Sequence, residues 1–218
     1  MFRSTTSMRR AAKSLGAILA LTLLVTAAGP RIAPVSAATH PAAPAAAMAT
    51  PFDRQFIDMM VPHHQSAVEM ARVALTRAQH PQIKKLAQSI ISDQNSEISQ
   101  MKAWRKQWYG SATTPSITAM PMLPGMPMNM NMGGMTFMND IASLKKANPF
   151  DKAFIDDMTP HHQMAIDAAT LELARGSHPQ LKSLALAIIK GQSREEGLMQ
   201  AYRELWYGGM GRMRGMGQ

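Results

Sequence analysis

The sequence predicts an all-α protein, a four-helix bundle made from two copies of one helical hairpin. Residues 52–110 align with residues 150–208 at a constant offset and without a gap, and roughly half of the aligned positions are identical. Apolar residues recur at helical spacing within each copy, and no strand pattern is readable. Because one such unit cannot bury its apolar face alone, the two copies are expected to pack together.

Proline and glycine set the expected helix boundaries. Residues 52–60 are predicted to form a short helix, and Pro62 to open a longer one, because its missing N–H would be unpaired in a first turn anyway. His80 ends that helix, since the residue before a proline disfavours the α region, and Pro81 opens the next. Gly110 is predicted to stop the second long helix. Helices joined by so short a turn pack antiparallel.

The segments outside the repeats have the composition of an export signal and of linkers. Residues 1–38 combine a basic start, an apolar run and small residues before a cleavage point, as in a secretory signal peptide. The apolar run is shorter than the roughly 20 residues of a spanning helix. The mature chain is therefore expected in the periplasm or outside the cell without stable membrane insertion, a retained anchor being the alternative. An Ala/Pro-rich linker, a Met-rich linker and a Gly/Met-rich tail are assigned to residues 39–51, 111–149 and 209–218.

Charge and cysteine content exclude several classes of protein. The formal net charge is +9, but residues 1–38 hold five of the 23 Lys and Arg and no acid, which leaves 18 basic against 14 acidic residues, a net +4. That balance is not the clustered basic face of a nucleic-acid-binding protein. The chain has no cysteine, so disulfides and thiolate metal sites are excluded. Methionine is over-represented, with 21 residues.

The hairpin geometry predicts one polar level inside each copy. His64 lies about 16 residues before the turn and should face residues equally far after it, roughly 24 Å from the turn. The residues expected near this level are His64, Gln94, Glu97 and Met101 in the first copy and His162, Gln192, Glu195 and Met199 in the second. His63 and His161 lie about 100° further round the helix, leaning inward or facing water. Imidazole supported by carboxylate and thioether favours a metal site; a buried hydrogen-bond network without metal is the alternative.

A second group of candidate ligands lies in the Met-rich linker. Eight methionines fall close together among Pro, Gly and Asn, where no core stripe is readable: Met120, Met122, Met126, Met128, Met130, Met132, Met135 and Met138. Thioether is a soft ligand that selects Cu(I), and by the same softness Ag(I), over hard ions. Compositional drift in a linker and a hydrophobic patch for a protein partner are the alternatives.

A paired motif adds a family resemblance. FIDxMxPHHQ, HPQ(I/L)KxLA and WYG occur in the same order in both copies, and the chain resembles the bacterial family known as domain of unknown function 305. The resemblance implies a ferritin-like four-helix bundle, usually exported, and some members are linked to copper binding and copper tolerance through His and Met. By this likeness the positions carried over are His63, His64, His161 and His162, with Met101 and Met199 second.

These observations favour an exported protein that binds soft metal ions, copper(I) first and silver(I) second, for buffering or tolerance. No organic cofactor and no catalysis are expected; a copper exporter or a multicopper oxidase is the expected protein partner, and nucleic acid is not. A structural or partner-binding bundle with a metal-free His/Glu network is the main alternative. A ferritin-like metal oxidase is disfavoured, because di-iron bundles use Glu-x-x-His and the sequence has none.

Overall fold

A computed structural model describes residues 50–126 and 141–208 of the chain, and all regular structure in these two ranges is helical. The helices are α1 Phe52–Arg77, α2 Pro81–Tyr109, α3 Ile141–Lys146, α4 Phe150–Arg175 and α5 Pro179–Tyr207, with a 3₁₀ turn at Ile117–Ala119. The predicted all-α class is confirmed, as are the two hairpins, α1–α2 and α4–α5. Within the described ranges no helix is long and apolar enough to cross a bilayer. The signal peptide assigned to residues 1–38 and the tail beyond residue 208 lie outside them.

Helix α1 runs unbroken through the proline that was expected to open it. Pro62 lies inside the helix and is buried together with Val61 and His63, so the prediction of a separate short helix over residues 52–60 is wrong. A proline in a helix interior costs about 3 kcal/mol. Burial of this part of α1 on several sides offsets that cost, which the local sequence pattern does not reveal.

The two hairpins meet through α1 and α4, while α2 and α5 lie outside and contact each other little. One apolar cluster joins Phe56 of α1 to Ala168 of α4 and Leu181 of α5. A second cluster joins Ala71 of α1 to Phe154 of α4. The start of each central helix therefore packs against the end of the other, so α1 and α4 are antiparallel and the repeats are related by an approximate twofold axis.

Each hairpin holds the turn of the other through one buried aspartate. Asp53 at the start of α1 accepts a hydrogen bond from the backbone N–H of His178 at 3.0 Å and pairs with its Nδ1. Asp151 at the start of α4 does the same for His80, with its N at 2.8 Å and its Nδ1 at 2.6 Å. Each imidazole is also stacked on an indole, with ring centroids 3.7 Å apart: His178 on Trp108 and His80 on Trp206.

The two ends of the bundle differ at one buried residue. Glu172, in the last turn of α4, is fully buried beside Asp53, and neither of its oxygens has a hydrogen-bond donor. Burial, and then the charge of Asp53, raise the pKa of Glu172 to about 8. A Cβ at Gly176 would lie 1.9 Å from Oε1 of Glu172, so the glycine makes room for this carboxyl. The first repeat has Ala74 and Ala78 at these positions.

Replacing Glu172 with Gln is expected to flatten the dependence of stability on pH. Because folding raises the pKa of Glu172 from 4.5 to about 8, the unfolded chain releases a proton in this pH range that the folded chain keeps. The free energy of unfolding should therefore fall by roughly 1–3 kcal/mol between pH 5 and 8, since one pKa unit corresponds to about 1.4 kcal/mol and relaxation of the site offsets part of it. Urea unfolding measures this, with Glu204→Gln as the exposed control. A Glu172→Gln variant as pH-sensitive as the wild type would contradict the assignment.

Candidate metal centre

Two imidazoles face each other where α1 and α4 cross. The ring centroids of His63 and His161 are 3.8 Å apart and the rings are tilted by 42°. The two residues are 0% and 3% exposed, so both lean inward, which decides between the two orientations that the sequence left open. His63 and His161 are the first histidines of the HH motif in their repeats. The approximate twofold axis between the repeats therefore passes between them.

A histidine–glutamate pair lies on either side of this crossing. Nε2 of His64 is 2.8 Å from Oε2 of Glu97, and Nε2 of His162 is 2.8 Å from Oε2 of Glu195. The contact predicted from equal distance to the turn is therefore confirmed in both hairpins. Met101 and Met199, one turn beyond the glutamates, are fully buried. A role of these residues as metal ligands stays a prediction.

Many polar atoms of this cluster have no hydrogen-bond partner. Both ring nitrogens of His63 are unpaired, as is Nδ1 in the other three histidines of the two HH motifs. Nε2 of His161 is 2.7 Å from Oγ of Ser66. Because buried polar groups are nearly always paired in folded proteins, these unpaired imidazole nitrogens are donor atoms that a ligand could use.

The central imidazoles are held in the neutral form. Burial, and then the positive charge that a neighbouring imidazole would carry, lower the pKa of His63 and of His161 well below the ordinary 6.5. A neutral imidazole has one nitrogen with a free lone pair, which is the form that binds metal. At neutral pH the pair can therefore bind a cation without first releasing protons.

The two sides of the imidazole pair are not chemically equivalent. The repeat places Met164 of α4 at the position of Ser66 in α1, and both side chains are buried. A hydroxyl that contacts His161 in one half is thus matched by a thioether at the equivalent position in the other. Sequence reasoning overlooked Met164, although the alignment of the two copies contains the signal.

The donors fit a soft monovalent ion better than a divalent one. Among residues 50–126 and 141–208, no three His, Asp or Glu side chains form a group that could hold an ion by themselves. Cu(I) and Ag(I) accept low coordination numbers and bind thioether and imidazole, whereas structural Zn²⁺ needs a complete tetrahedral set.

The linker methionines are only partly described. Met120 and Met126 are buried in the apolar cluster around Phe56, so for these two the prediction of thioethers exposed in a linker is wrong. They lie there because the chain after α2 folds back over that cluster. Met122 is 44% exposed. The remaining five lie outside the described residues: Met128, Met130, Met132, Met135 and Met138.

The fold and the cluster together define the class of protein, a repeated-hairpin helical bundle with a buried cluster of neutral imidazoles. Residues 53–203 match the family described as a domain of unknown function (DUF305), and the chain belongs to this family. The resemblance drawn from the paired motif is thereby confirmed. An uncharacterised protein of Acanthamoeba polyphaga mimivirus is 39% identical over 51 residues, which are 23% of this chain and only about a third (34%) of that relative.

Solved structures with the same architecture include metal-bound proteins. CopM in its Cu(I)-bound form is 38% identical, covers 71% of this chain and 97% of its own, and superposes with a TM-score of 0.57. The Ag-bound form of CopM, obtained by soaking, is 37% identical over 71% and 96% of the two chains, with a TM-score of 0.59. A DUF305 protein of Streptomyces coelicolor described as secreted is 26% identical over 70% and 90%, with a TM-score of 0.56.

Acid is expected to destabilise the metal-free protein through the two central histidines. Because the pKa values of His63 and His161 are lowered on folding, their contribution to stability is fully present above pH 6.5 and is lost as the pH falls below it. The histidines of the unfolded chain then bind protons, whereas those of the folded chain stay neutral. The free energy of unfolding falls by up to about 1.4 kcal/mol per histidine and pH unit. Urea unfolding at pH 7 and 5 measures the loss. Between pH 7 and 5, the double variant His63→Gln/His161→Gln should lose less free energy of unfolding than the wild type. It should also lose less than the control variant His80→Gln.

Proposed function

We propose that this chain is an exported protein that binds soft monovalent metal ions, copper(I) first and silver(I) second, and that it buffers them without catalysis. The single observation that carries the proposal is the buried His63–His161 pair. Its rings are in contact, its pKa values are held low, and its nitrogens are largely without hydrogen-bond partners. A pair of this kind gains most from a ligand that accepts lone pairs and adds little charge to a buried site, which describes Cu(I) and Ag(I).

Thioethers complete the donor set. Met101 and Met199 are buried one turn beyond the glutamates that hold His64 and His162, and Met164 matches Ser66 beside the central pair. Sulfur of this kind does not form disulfides, so it suits an oxidising compartment. The chain has no cysteine, and thioether is therefore its only soft sulfur ligand. Further capacity is proposed for the linker methionines.

The relatives support the binding of copper and silver ions, but they do not support a particular protein partner. CopM, over nearly its whole length similar to this chain, is known in Cu(I)-, Cu(II)- and Ag-bound forms. Export is supported by the composition of residues 1–38 and by the secreted Streptomyces coelicolor relative. Transfer of copper to or from a copper exporter or a multicopper oxidase is part of the proposal and rests on the binding function alone.

A metal-free polar core is the second candidate. The observation that favours it is the pair of hydrogen bonds from His64 to Glu97 and from His162 to Glu195, both 2.8 Å long, because these satisfy part of the cluster without an ion. The free nitrogens of His63 argue against it, since a purely structural network would be expected to pair them.

Copper(I) titration against a competing chelator tests the proposal. The mature chain should bind Cu(I), and the variant His63→Ala/His161→Ala should lose at least about tenfold in affinity, equivalent to about 1.4 kcal/mol, or one ion in stoichiometry. The matched control is His80→Gln/His178→Gln, which removes two imidazoles at the helix turns. A chain lacking residues 127–138 separates binding in the bundle from binding in the linker.

Stability must be followed in the same variants. If His63→Ala/His161→Ala keeps the full affinity and stoichiometry for Cu(I) and Ag(I), the imidazole pair is structural and the second candidate stands. If Met101→Leu and Met199→Leu bind as the wild type does, the buried thioethers of α2 and α5 are core residues only. Repeated turnover of Cu(I) or ferrous iron with oxygen would show that the chain is an enzyme after all.

A further inference from the structure

Two grooves run between α2 and α5, and the internal repeat relates them. The larger has a volume of about 660 Å³, and its lining includes Asp93, Gln94, Glu97, Trp104, Gln192 and Glu195. The smaller has a volume of about 440 Å³, and its lining includes Gln82, Lys85, Arg194, Glu195, Leu198 and Tyr202. Glu195 therefore lines both grooves. They exist because α2 and α5 barely touch, and they lie over the glutamates that contact the buried histidines His64 and His162.

The two grooves differ in charge at equivalent positions. Lys85 in the smaller groove is matched by Ser183 in the larger one, and Arg194 is matched by Ser96. Asp93 and its repeat equivalent, Gly191, both line the larger groove, and no aspartate lines the smaller one. We call the larger one the acidic groove and the smaller one the basic groove. The charge difference between the two grooves therefore comes from Lys85, Arg194 and Asp93.

The floor of the acidic groove reaches the imidazoles. Glu97 and Glu195, which line it, are the carboxylates that contact His64 and His162. Gln94 and Gln192 also line it; they are only 2% and 4% exposed, and neither the oxygen nor the nitrogen of either amide has a hydrogen-bond partner. Two unsatisfied buried amides in one groove point to a polar or charged species that passes or rests there.

The carboxylates of the acidic groove repel one another. Burial raises the pKa of Asp93, the charges of Glu195 and Glu97 raise it further, and Arg194 acts in the opposite direction. A cation near these three carboxylates relieves the repulsion. Because no group of His, Asp and Glu in the described ranges could itself hold an ion, the groove attracts cations through its field rather than by chelation.

We propose that the acidic groove is the route by which soft cations reach the imidazole cluster, and that the basic groove is closed to them by its charge. This inference rests on the proposed function, of which it names the access path. Asp93 draws the hydrated ion into the mouth. The amide oxygens of Gln94 and Gln192 replace water on the ion as it moves towards His64 and His162. No bond is made or broken in the protein during this passage.

A field at the mouth acts mainly on rates. Attraction of an ion to the mouth of the groove changes the rate constant for association. The ion leaves by the same route, so the rate constant for release changes with it. The equilibrium affinity, which depends on the ligands at the end of the path, should change little. This separates a residue of the access route from a metal ligand.

Stopped-flow measurement of Ag(I) uptake by the mature chain tests the proposal, with the fluorescence of Trp104 in the groove wall as a reporter. Asp93→Asn should slow uptake about two- to tenfold at low ionic strength, and Ser183→Lys at least as much, with both effects shrinking at high salt. Glu69→Gln is the matched control, since Glu69 is exposed on α1 and lines neither groove. Lys85→Ser, which gives the basic groove the serine of the acidic one, removes part of the charge that closes this groove and should speed uptake about two- to threefold at low ionic strength.

Each outcome decides a different claim. Equal slowing by Asp93→Asn and Glu69→Gln would show a general charge effect and overturn the access route. A rate left unchanged by Lys85→Ser would show that the charge of the basic groove does not exclude ions, which overturns that part of the proposal. Transfer of Cu(I) from a coloured chelator supplies the same rates without Trp104. A wild type that binds neither ion at equilibrium would instead overturn the proposed function, whereas normal affinity with unaltered rates in all variants would remove the access route alone.

Discussion

The crossing of α1 and α4 is the contact on which the rest of the structure depends. It buries His63 against His161, and burial is what lowers their pKa values and keeps both rings neutral. Water could solvate and protonate the same residues on an exposed helix, and they would then repel a cation. The helix-interior Pro62 beside the pair is tolerated for the same reason, because tertiary packing on α1 offsets a local cost.

The repeat makes the scaffold symmetric, and a few positions depart from that symmetry. Asp53 and Asp151 hold the turn of the opposite hairpin in the same way, so the scaffold itself is nearly twofold. The two repeats have different residues at several positions that matter here: Glu172 and Gly176 against Ala74 and Ala78, Met164 against Ser66, and Asp93 against Gly191. A duplicated framework can keep its packing while single positions diverge, since these positions lie at cavities, turns and groove mouths where a change of side chain disturbs few neighbours.

Much of this arrangement could be predicted from the sequence. The common level of His64 with Glu97 follows from equal distance to the turn and a constant rise per residue, and the structure has both contacts at 2.8 Å. The burial of Met120 and Met126 could not be predicted from the sequence, because the segment after α2 shows no periodicity. Its packing depends on a surface made by residues far away in the chain. Glu172 left no signal either, since a glutamate in a helix is ordinarily a solvated residue.

By itself, the sequence determined the all-helical class, the duplicated hairpin, the family and the polar level within each hairpin, because these depend on periodicity and on distances along the chain. Only the tertiary structure decided that His63 and His161 face each other, that three of their four ring nitrogens lack partners, and that two unequal grooves lie between α2 and α5. The physical reason is that these features arise between the hairpins. How two helices cross is set by the packing of side chains far apart in the chain, and no local pattern contains that information.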